Sequence, residues 1–186
     1  MPSVVHPAHQ RVLDAAGRKA VSLEIILFDE STHTAEAAAR AVGAELGQIV
    51  KSLVFVAPSA GDLEPVMALV SGANRVDVAR LAAVVGLPGL RRATAQEAHD
   101  LTGFVIGGIP PFGHLRTARV VMDPDLGRFP SVWAAAGTPN AVFEVPPGTL
   151  RILANATVAP IAEGDDERSN AGRDVAPLAG NAPAEA

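Results

Sequence analysis

The sequence predicts a single α+β domain, in which helices flank a mixed sheet and do not alternate regularly with strands. Helical stripes of apolar residues and short β-branched runs follow one another in irregular order, which argues against a doubly wound sheet. The strongest strand signal is a pair of apolar runs separated by a glycine-containing turn, which predicts a hairpin. A chain of 186 residues with 48% hydrophobic residues is long enough for one domain with a substantial core.

The predicted helices are marked by apolar residues at helical spacing and by capping or breaking residues at their ends. Thr34 and Thr94 are candidate N-caps, because a threonine hydroxyl can accept a hydrogen bond from a backbone N–H of the first helical turn. In chain order, the predicted helices end near Gly17, run from Thr34 to Gly47, run from Val78 to Gly86, run from Thr94 to Leu101, and begin at PPGTLRIL.

The predicted strands are short runs rich in β-branched and aromatic residues. The second and third of them form the predicted hairpin, with its turn at Ser59 to Asp62. In chain order, the predicted strands are VSLEIILF, QIVKSLVFVAP, PVMALVSG, FVIGG, ARVVMD, VWAAAG and AVFEV.

The composition changes after Ala162. Residues 163–186 mix acidic residues with Gly, Asn, Ala and Pro and have no apolar periodicity, so we expect residues 1–162 to form the domain and residues 163–186 to form a disordered acidic tail. The net charge of the chain is −5, and the tail carries −4 of it. A body with a charge of about −1 can still present a local basic face to a nucleic acid.

Several kinds of site are excluded by what the sequence lacks. The chain has no cysteine, which removes disulfides, thiolate nucleophiles and zinc sites built on sulfur. It contains no GxxxxGK[ST], GxGxxG, GxSxG or HExxH motif. His6 and His9 have an i, i+3 spacing without an acidic or sulfur ligand nearby, so a solvated helix end is the favoured interpretation. We predict no metal and no cofactor.

The sequence contains no signal for a membrane. No run approaches the roughly 20 apolar residues that a membrane-spanning helix requires, and the first ten residues contain no apolar core of signal-peptide length. We therefore expect a cytoplasmic protein without membrane contact.

A lysine inside an apolar strand is the first candidate for chemistry. Lys51 lies in QIVKSLVFV, and it is one of two lysines in a chain with thirteen arginines. Because an ammonium and a guanidinium differ in donor geometry and in how readily the pKa moves, this choice indicates a specific role. The structural alternative is an edge-strand lysine that faces water and hinders edge pairing.

A glycine- and proline-rich segment is the second candidate. TGFVIGGIPPFGH, from Thr102 to His114, contains four glycines and two prolines. Glycine permits backbone torsions that other residues avoid and proline stiffens the chain, so such a loop can aim its N–H groups in one direction. The structural alternative is a tight chain reversal, which composition alone favours.

Four separated blocks carry a resemblance to a known family. They are TAEAAARAVGAELGQIVKSLVF, SGANRVDVARLAAVVG, TGFVIGGIPPFGH and VWAAAGTPNAVFEV, and they span about residues 23–163. On these residues the chain resembles the YbaK/EbsC family of aminoacyl-tRNA deacylases, whose fold also forms the editing insertion of bacterial prolyl-tRNA synthetases. The resemblance implies a mixed, mostly antiparallel and barrel-like sheet flanked by helices.

The resemblance also implies a reaction and its partners. Members of the family hydrolyse the ester that joins a wrong small amino acid, here expected to be cysteine or alanine, to the 3′ adenosine of a tRNA. The expected tRNA is tRNA-Pro, and prolyl-tRNA synthetase is a candidate partner. Some members described as cysteine-specific have an aspartate in the block that reads GTPNAV here. Its absence leaves the choice of amino acid open.

Site residues follow from matching the family motifs. The essential lysine of the K-[ST]-L block corresponds to Lys51, and the G-x-x-x-P loop corresponds to Gly107 to Pro111, with Gly108 adjoining. We expect the glycine loop, held by Pro111, to position the ester carbonyl and a water through backbone N–H groups. Lys51 could bind phosphate or ribose hydroxyls as an ammonium, or act as a base when neutral; the ammonium is favoured because the ligand is a polyanion.

Further residues are weaker candidates for substrate binding. They are Ser52, Ile109, His114 and Arg75. Ser52 should face the side of its strand opposite to Lys51. His114 could order a water or contact RNA, although a structural histidine is favoured. Candidate contacts to the tRNA backbone are Arg75, Arg91 and Arg92.

Two alternatives to a deacylase remain. One is a non-catalytic tRNA-binding or synthetase-associated module that shares the fold. The other is hydrolysis of a small ester or thioester in the same pocket. Assays on mischarged tRNAs and on small esters discriminate among these functions.

Overall fold

Eight strands and five α-helices are found in residues 5–29 and 34–164, the part of the chain that the computed structural model describes. The helices are α1 (Pro7–Gly17), α2 (Ala35–Val42), α3 (Val78–Val85), α4 (Ala95–Thr102) and α5 (Pro147–Ala154). The strands are β1 (Ile25–Leu27), β2 (Val50–Ser59), β3 (Asp62–Ser71), β4 (Arg91–Arg92), β5 (Arg119–Met122), β6 (Val132–Ala135), β7 (Ala141–Val145) and β8 (Thr157–Val158). Short 3-10 helices occupy Leu46–Gln48 and Pro124–Arg128.

The strands form two sheets, in the orders β1-β7-β6 and β4-β2-β3-β5-β8. β5 pairs in parallel with β3 and β8, and the remaining neighbours are antiparallel. The predicted α+β class is therefore confirmed. The expected barrel-like closure is not, because neither sheet closes within the described ranges. The outer strands β4 and β8 have only two residues each, and an isolated bridge between Ile49 and Trp133 links the two sheets.

The predicted hairpin is confirmed and is the longest element of the larger sheet. β2 and β3 pair over ten residues, from Val50 with Ser71 to Ser59 with Asp62. The turn residues between them, Ala60 and Gly61, both have positive φ, which matches the twist of a tight antiparallel turn.

Two local predictions were wrong. α2 is capped by Thr34 as expected, but it ends at Gly43 and not at Gly47. Gly43 has a φ of 66°, and its N–H donates to carbonyls of the last helical turn, as a left-handed C-cap does. The run FVIGG, predicted as a strand, forms a turn. Its Gly108 N–H donates to the Val105 carbonyl at 3.0 Å, so this hydrogen bond closes a turn and not a ladder.

β2 separates two clusters of buried apolar residues. Val50, Val54 and Val56 point into the main core, which also contains α1, α4 and the smaller sheet. Phe55, with Leu53 packed beside it, belongs to the second cluster, under α3. Successive side chains of a strand point to opposite faces, so β2 is covered on both sides.

A buried carboxylate joins the end of β5 to the end of the described chain. The side chain of Asp123 is fully buried and accepts hydrogen bonds from the N–H groups of Asp125, Ile161 and Ala162 at 3.0, 2.9 and 2.9 Å. Three donors satisfy the acceptor capacity that makes a buried carboxylate tolerable. The segment at residues 161–162 is therefore part of the folded unit.

The predicted domain boundary lies close to the end of the described residues. Ala162 forms a bridge with Val76, and the Glu163 N–H donates to the Arg75 carbonyl at 2.9 Å. Residues 165–186 lie outside the described part of the chain, so the disordered tail stays a prediction. Within residues 5–29 and 34–164, no helix combines the length and apolar character needed to cross a membrane.

Candidate active site

A cavity of about 240 Å³ lies at the seam between the two sheets. Its walls come from β2, from α2, from the last three residues of β6, from the first two residues of β7, and from the loop after α4. Most lining side chains are apolar, including Ile49, Val54 and Trp133. The described lining contains two cations, Lys51 and Arg92, and no carboxylate. Such a site favours a ligand with a small apolar part and an anionic neighbour.

Lys51 lies half-buried in the wall of this cavity. Its Nζ donates to the backbone carbonyl of Asn74, and no carboxylate of the described residues forms an ion pair with it. Burial lowers the pKa of Lys51; the negative charge of Glu36 opposes this, and the positive charges of Arg75 and Arg92 add to it. Lys51 is therefore not a lysine on an open sheet edge. No carboxylate of the described lining neutralises its ammonium.

Ser52 also lines the cavity, and its hydroxyl has no hydrogen-bond partner in the described structure. Its side chain lies on the strand face shared with Val50 and Val54, whereas Lys51 lies on the face shared with Phe55, as the alternation predicted. A buried hydroxyl without a partner costs free energy, and such groups need an explanation in a native fold.

The glycine loop reaches the cavity through Gly107 and Ile109. Gly107 has a φ of 90°, which side chains rarely permit, and its N–H has no protein partner among the described residues. Gly108 serves a different purpose, because its N–H closes the turn to Val105. A Cβ on Gly108 would lie 2.7 Å from the Cα of Thr138, so only glycine allows the two segments to meet.

The segment that contains Thr138 is in turn supported by α1. Gly137 has a φ of 108°, and a Cβ there would lie 2.9 Å from the carbonyl oxygen of Ala8. The Gly137 N–H donates to the Gly108 carbonyl at 3.0 Å. The glycine loop, the segment after β6 and α1 therefore form three successive layers beside the cavity.

His9 on α1 connects to the same segment. Its Nε2 lies 2.8 Å from Thr138 Oγ1, and this hydroxyl donates to Asn140 Oδ1 at 2.9 Å. A hydroxyl has one proton, so His9 Nε2 must donate to Thr138. Burial lowers the pKa of His9, and the nearby His6 lowers it further, so the neutral ring is favoured. The predicted solvated histidine pair is therefore wrong for His9, which is buried, although His6 is exposed.

Arg11, also on α1, holds both ends of the glycine-rich segment. Its guanidinium donates to the Thr102 carbonyl at 2.7 Å and to the Gly113 carbonyl at 3.1 Å. The same group lies 3.8 Å above the centre of the Phe104 ring, within the range of a cation–π contact. Sequence reasoning missed Arg11, because its contacts are with residues 91 and 102 positions away.

His114 closes the same segment from within. Its Nε2 lies 2.7 Å from the Pro110 carbonyl and therefore donates to it, and its ring meets Phe104 edge to face. Burial lowers the pKa of His114. Its hydrogen bond stays within the loop, and His114 does not belong to the cavity lining.

The structure thus brings together only part of the predicted set. The predicted residues that line the cavity are Lys51, Ser52, Gly107 and Ile109. The predicted residues outside the lining are Gly108, Pro111, His114 and Arg75. Pro111 is buried in the loop, and Arg75 is exposed but close enough to lower the pKa of Lys51.

The candidate arginines differ in their availability. Arg91 forms a two-pronged ion pair with Glu97, at 2.8 Å for each nitrogen, and the pKa of Glu97 falls to about 2 mainly because of it. Arg92 lines the cavity and lies 5.4 Å from the centre of the Phe55 ring. Arg92 is therefore a better candidate for contacting phosphate than Arg91. The described residues contain no group of three or more His, Cys, Asp or Glu side chains that could hold a metal ion.

Comparisons with known proteins agree with this geometry. A family model described as the aminoacyl-tRNA editing domain matches residues 29–153. The multifunctional Ser/Thr-tRNA deacylase ProXp-y of Escherichia coli K12 is 32% identical over 69% of this chain and 77% of its own length. The candidate Cys-tRNA(Pro)/Cys-tRNA(Cys) deacylase EbsC of Enterococcus faecalis is 26% identical over 72% of this chain and 80% of its own length.

The comparison of folds gives the same result. A solved structure of a candidate trans-editing enzyme for prolyl-tRNA synthetase is 45% identical, with a TM-score of 0.79 over 86% of this chain and 99% of the other.

Proposed function

Because the chain belongs to the aminoacyl-tRNA editing domain family, we propose that it removes a mischarged small amino acid from a tRNA in trans. The substrate is an aminoacyl-tRNA, and the reaction is hydrolysis of the ester between the amino acid and the terminal ribose. The observation that carries this proposal is that Lys51 and Gly107, which belong to different family motifs, line the same small cavity.

The cavity has the size and charge that this substrate requires. Its volume of about 240 Å³ is below the roughly 300 to 1,000 Å³ of sites for drug-sized ligands, so it admits a small aminoacyl group and not a nucleoside as well. The terminal adenosine and its phosphate therefore remain at the mouth. Lys51 and Arg92 supply positive charge for them.

The chemistry proceeds without a covalent intermediate on the protein. A water attacks the ester carbonyl carbon, the bond to the ribose oxygen breaks, and that oxygen takes a proton, which gives the free amino acid and the tRNA. The lining offers no cysteine, histidine or carboxylate among the described residues, so the protein acts by positioning the reactants. The free N–H of Gly107 is a candidate donor to the developing oxyanion.

The other predicted residues support this arrangement in different ways. Gly108 and Pro111 hold the loop and do not touch the substrate, whereas Ile109 forms part of the wall beside the amino acid side chain. Arg75 adds to the positive field around Lys51. His114 keeps the loop in shape through Pro110, so we assign it no contact with RNA.

The identity of the amino acid and of the tRNA belongs to the same proposal. Cysteine and alanine fit a small apolar cavity. The relative named for cysteine supports cysteine, and the relative named for serine and threonine adds the hydroxyl amino acids. A site that accepts only small side chains acts as the second sieve for residues that a synthetase distinguishes poorly. The name of the solved relative supports tRNA-Pro and prolyl-tRNA synthetase as partners. We propose the cytoplasm as the location, because the proposed substrate is a charged tRNA.

A panel of mischarged tRNAs tests the proposal. Purified protein is incubated with tRNA-Pro charged with alanine, cysteine, serine or proline, and the loss of the ester is followed. We expect rapid hydrolysis of at least one small aminoacyl ester, slow hydrolysis of prolyl-tRNA, and loss of the activity in Lys51→Ala. Binding of tRNA without hydrolysis of any ester would favour the non-catalytic module, and activity on small esters alone would favour the simple esterase.

A further inference from the structure

The outer edge of β2 has a gap beside the cavity. Two hydrogen bonds establish which backbone groups face that edge: Ile49 accepts from the Gly72 N–H at 2.7 Å, and Val54 accepts from the Ala93 N–H at 3.0 Å. Gly72 extends the β3 side of the ladder, whereas Ala93 follows β4 on the other side. Because successive peptide groups of a strand alternate in direction, the N–H and C=O of Ser52 point away from β3.

On that side Ser52 pairs with no residue of a described strand. The bridge between Ile49 and Trp133 lies before it, and the pairing with β4 begins after it, at Phe55 with Arg92. No strand pair or loop hydrogen bond among the described residues engages the Ser52 N–H or C=O on this edge. An unpaired edge is a template for a further extended segment, and here it faces a small cavity and not open solvent.

An aminoacyl group has the groups that such a gap requires. In an antiparallel hydrogen-bonded pair, each residue donates its own N–H and accepts through its own C=O. The α-ammonium and the ester carbonyl of an amino acid are separated like the N–H and C=O of one residue. A single aminoacyl group can therefore occupy the gap as a one-residue strand.

We propose that the main chain of Ser52 is the docking site for the aminoacyl group. Its C=O accepts from the α-ammonium, and its N–H donates to the ester carbonyl oxygen, as a second donor beside the N–H of Gly107. The inference rests on the proposed function, since it describes how that same cavity recognises its substrate. The site therefore recognises the α-ammonium through a hydrogen bond, which makes it selective for aminoacyl esters over other acyl esters.

The pairing also decides where the amino acid side chain points. Directly opposite residues of an antiparallel pair have their side chains on the same face, so the side chain of an L-amino acid lies next to that of Ser52. The Ser52 hydroxyl is buried there without a partner. A hydroxyl on the substrate supplies the missing hydrogen bond, so serine and threonine belong to the substrate class.

Deaminated substrates test the proposal directly. Nitrous acid converts alanyl-tRNA to lactyl-tRNA and seryl-tRNA to glyceryl-tRNA, which replaces the α-ammonium by a hydroxyl and leaves the ester in place. For each aminoacyl-tRNA that the protein hydrolyses, we expect the enzymatic rate, divided by the uncatalysed rate in the same buffer, to fall at least about tenfold after deamination. If this ratio is the same before and after deamination, the docking at Ser52 is overturned and the proposed function still stands. Hydrolysis of no aminoacyl-tRNA would overturn the proposed function as well.

A pair of variants tests the protein side. Ser52→Pro removes the N–H that faces the gap, and proline is tolerated on a strand edge where no ladder bond is lost. Ser52→Ala keeps the N–H and removes only the hydroxyl. We expect the proline variant to lose at least about tenfold more kcat on alanyl-tRNA than the alanine variant. Equal losses in two folded variants would overturn the assigned N–H. If Ser52→Pro does not fold, the deaminated substrates decide.

Discussion

The main chains of Gly108 and Thr138 pack in direct contact, and a Cβ added to Gly108 would come within 2.7 Å of the Cα and carbonyl carbon of Thr138. The clash is with backbone and not with the movable end of a side chain. The contact therefore sets the distance between the glycine loop and the segment after β6, and with it the position of Gly107 at the cavity.

Gly108→Ala is expected to displace the glycine loop. The added methyl group forces the two main chains apart, which should lower the free energy of unfolding by about 1 to 3 kcal/mol and abolish deacylation. Chemical denaturation and a single-turnover assay measure the two effects. Gly127→Ala is the matched control, because a Cβ there meets no atom within 4 Å, and it should change neither property. Normal activity in Gly108→Ala would show that deacylation does not depend on the contact between Gly108 and Thr138.

Arg11→Ala should lower kcat without unfolding the protein. Its loss removes the hydrogen bonds to the Thr102 and Gly113 carbonyls, so the loop between them is less well held, and we expect a loss of about 10- to 100-fold. Arg11→Lys should not rescue the rate, since an ammonium cannot reproduce the planar fork. Arg18→Ala, an exposed residue at the end of the same helix, should retain activity. Full rescue by lysine would mean that charge alone acts here.

Lys51→Met should separate activity from stability. It removes a half-buried cation that forms no ion pair among the described residues, so the unfolding temperature should not fall. Deacylation should fall at least about 100-fold, as when one donor to a transition state is lost. Lys19→Met, at the other lysine of the chain, provides the control for loss of one positive charge. A large drop in the unfolding temperature would instead make Lys51 a structural residue.

The alkaline limb of the pH profile should report the protonation state of Lys51. Burial lowers its pKa in the folded protein, so the ammonium is lost at a pH below the ordinary value of 10.5. If the ammonium binds the substrate, kcat/KM decreases as pH rises through that range. The measurement subtracts the uncatalysed hydrolysis at each pH. An increase of kcat/KM over the same range would assign the neutral amine as a base.

Two histidines, the buried His9 and the partly buried His114, should make the fold sensitive to acid. The pKa values of His9 and His114 are lowered, chiefly by burial, so the unfolded chain binds these protons more readily than the folded one. The stabilisation is therefore present above the unfolded value of about 6.5 and decreases as pH falls below it. Thermal unfolding between pH 7.5 and 5 should show a smaller decrease for His9→Gln than for the parent protein. An unchanged slope would mean that His9 does not contribute.

Local sequence signals predicted most helices and strands, whereas contacts between residues far apart in the chain were evident only in the structure. The hairpin turn and the caps at Thr34 and Thr94 depend on residues two to four positions apart, so the sequence contains all the information. The early end of α2 at Gly43 was missed because two glycines could end that helix. Nothing local predicts that Arg11 would hold a loop about a hundred residues away.

Some residues of the candidate site were predictable from local sequence, and the roles of others depend on long-range contacts. Lys51 was conspicuous by composition, and Gly107 by the spacing of its loop, and both line the cavity. The part played by Gly108 follows from a contact with Thr138 that no spacing reveals. The unpaired edge at Ser52 depends on where β4 and the bridge from β6 happen to stop, which is a property of the assembled sheets.

The carboxylate of Asp123 has a consequence for how the chain is made. Two of its three backbone donors are at Ile161 and Ala162, which leave the ribosome only after almost all of the sheets have been synthesised. Until then the carboxylate cannot be buried at low cost, because two of its hydrogen bonds are missing. The nascent protein can therefore complete the hydrogen bonds of Asp123 only after those two residues have left the exit tunnel.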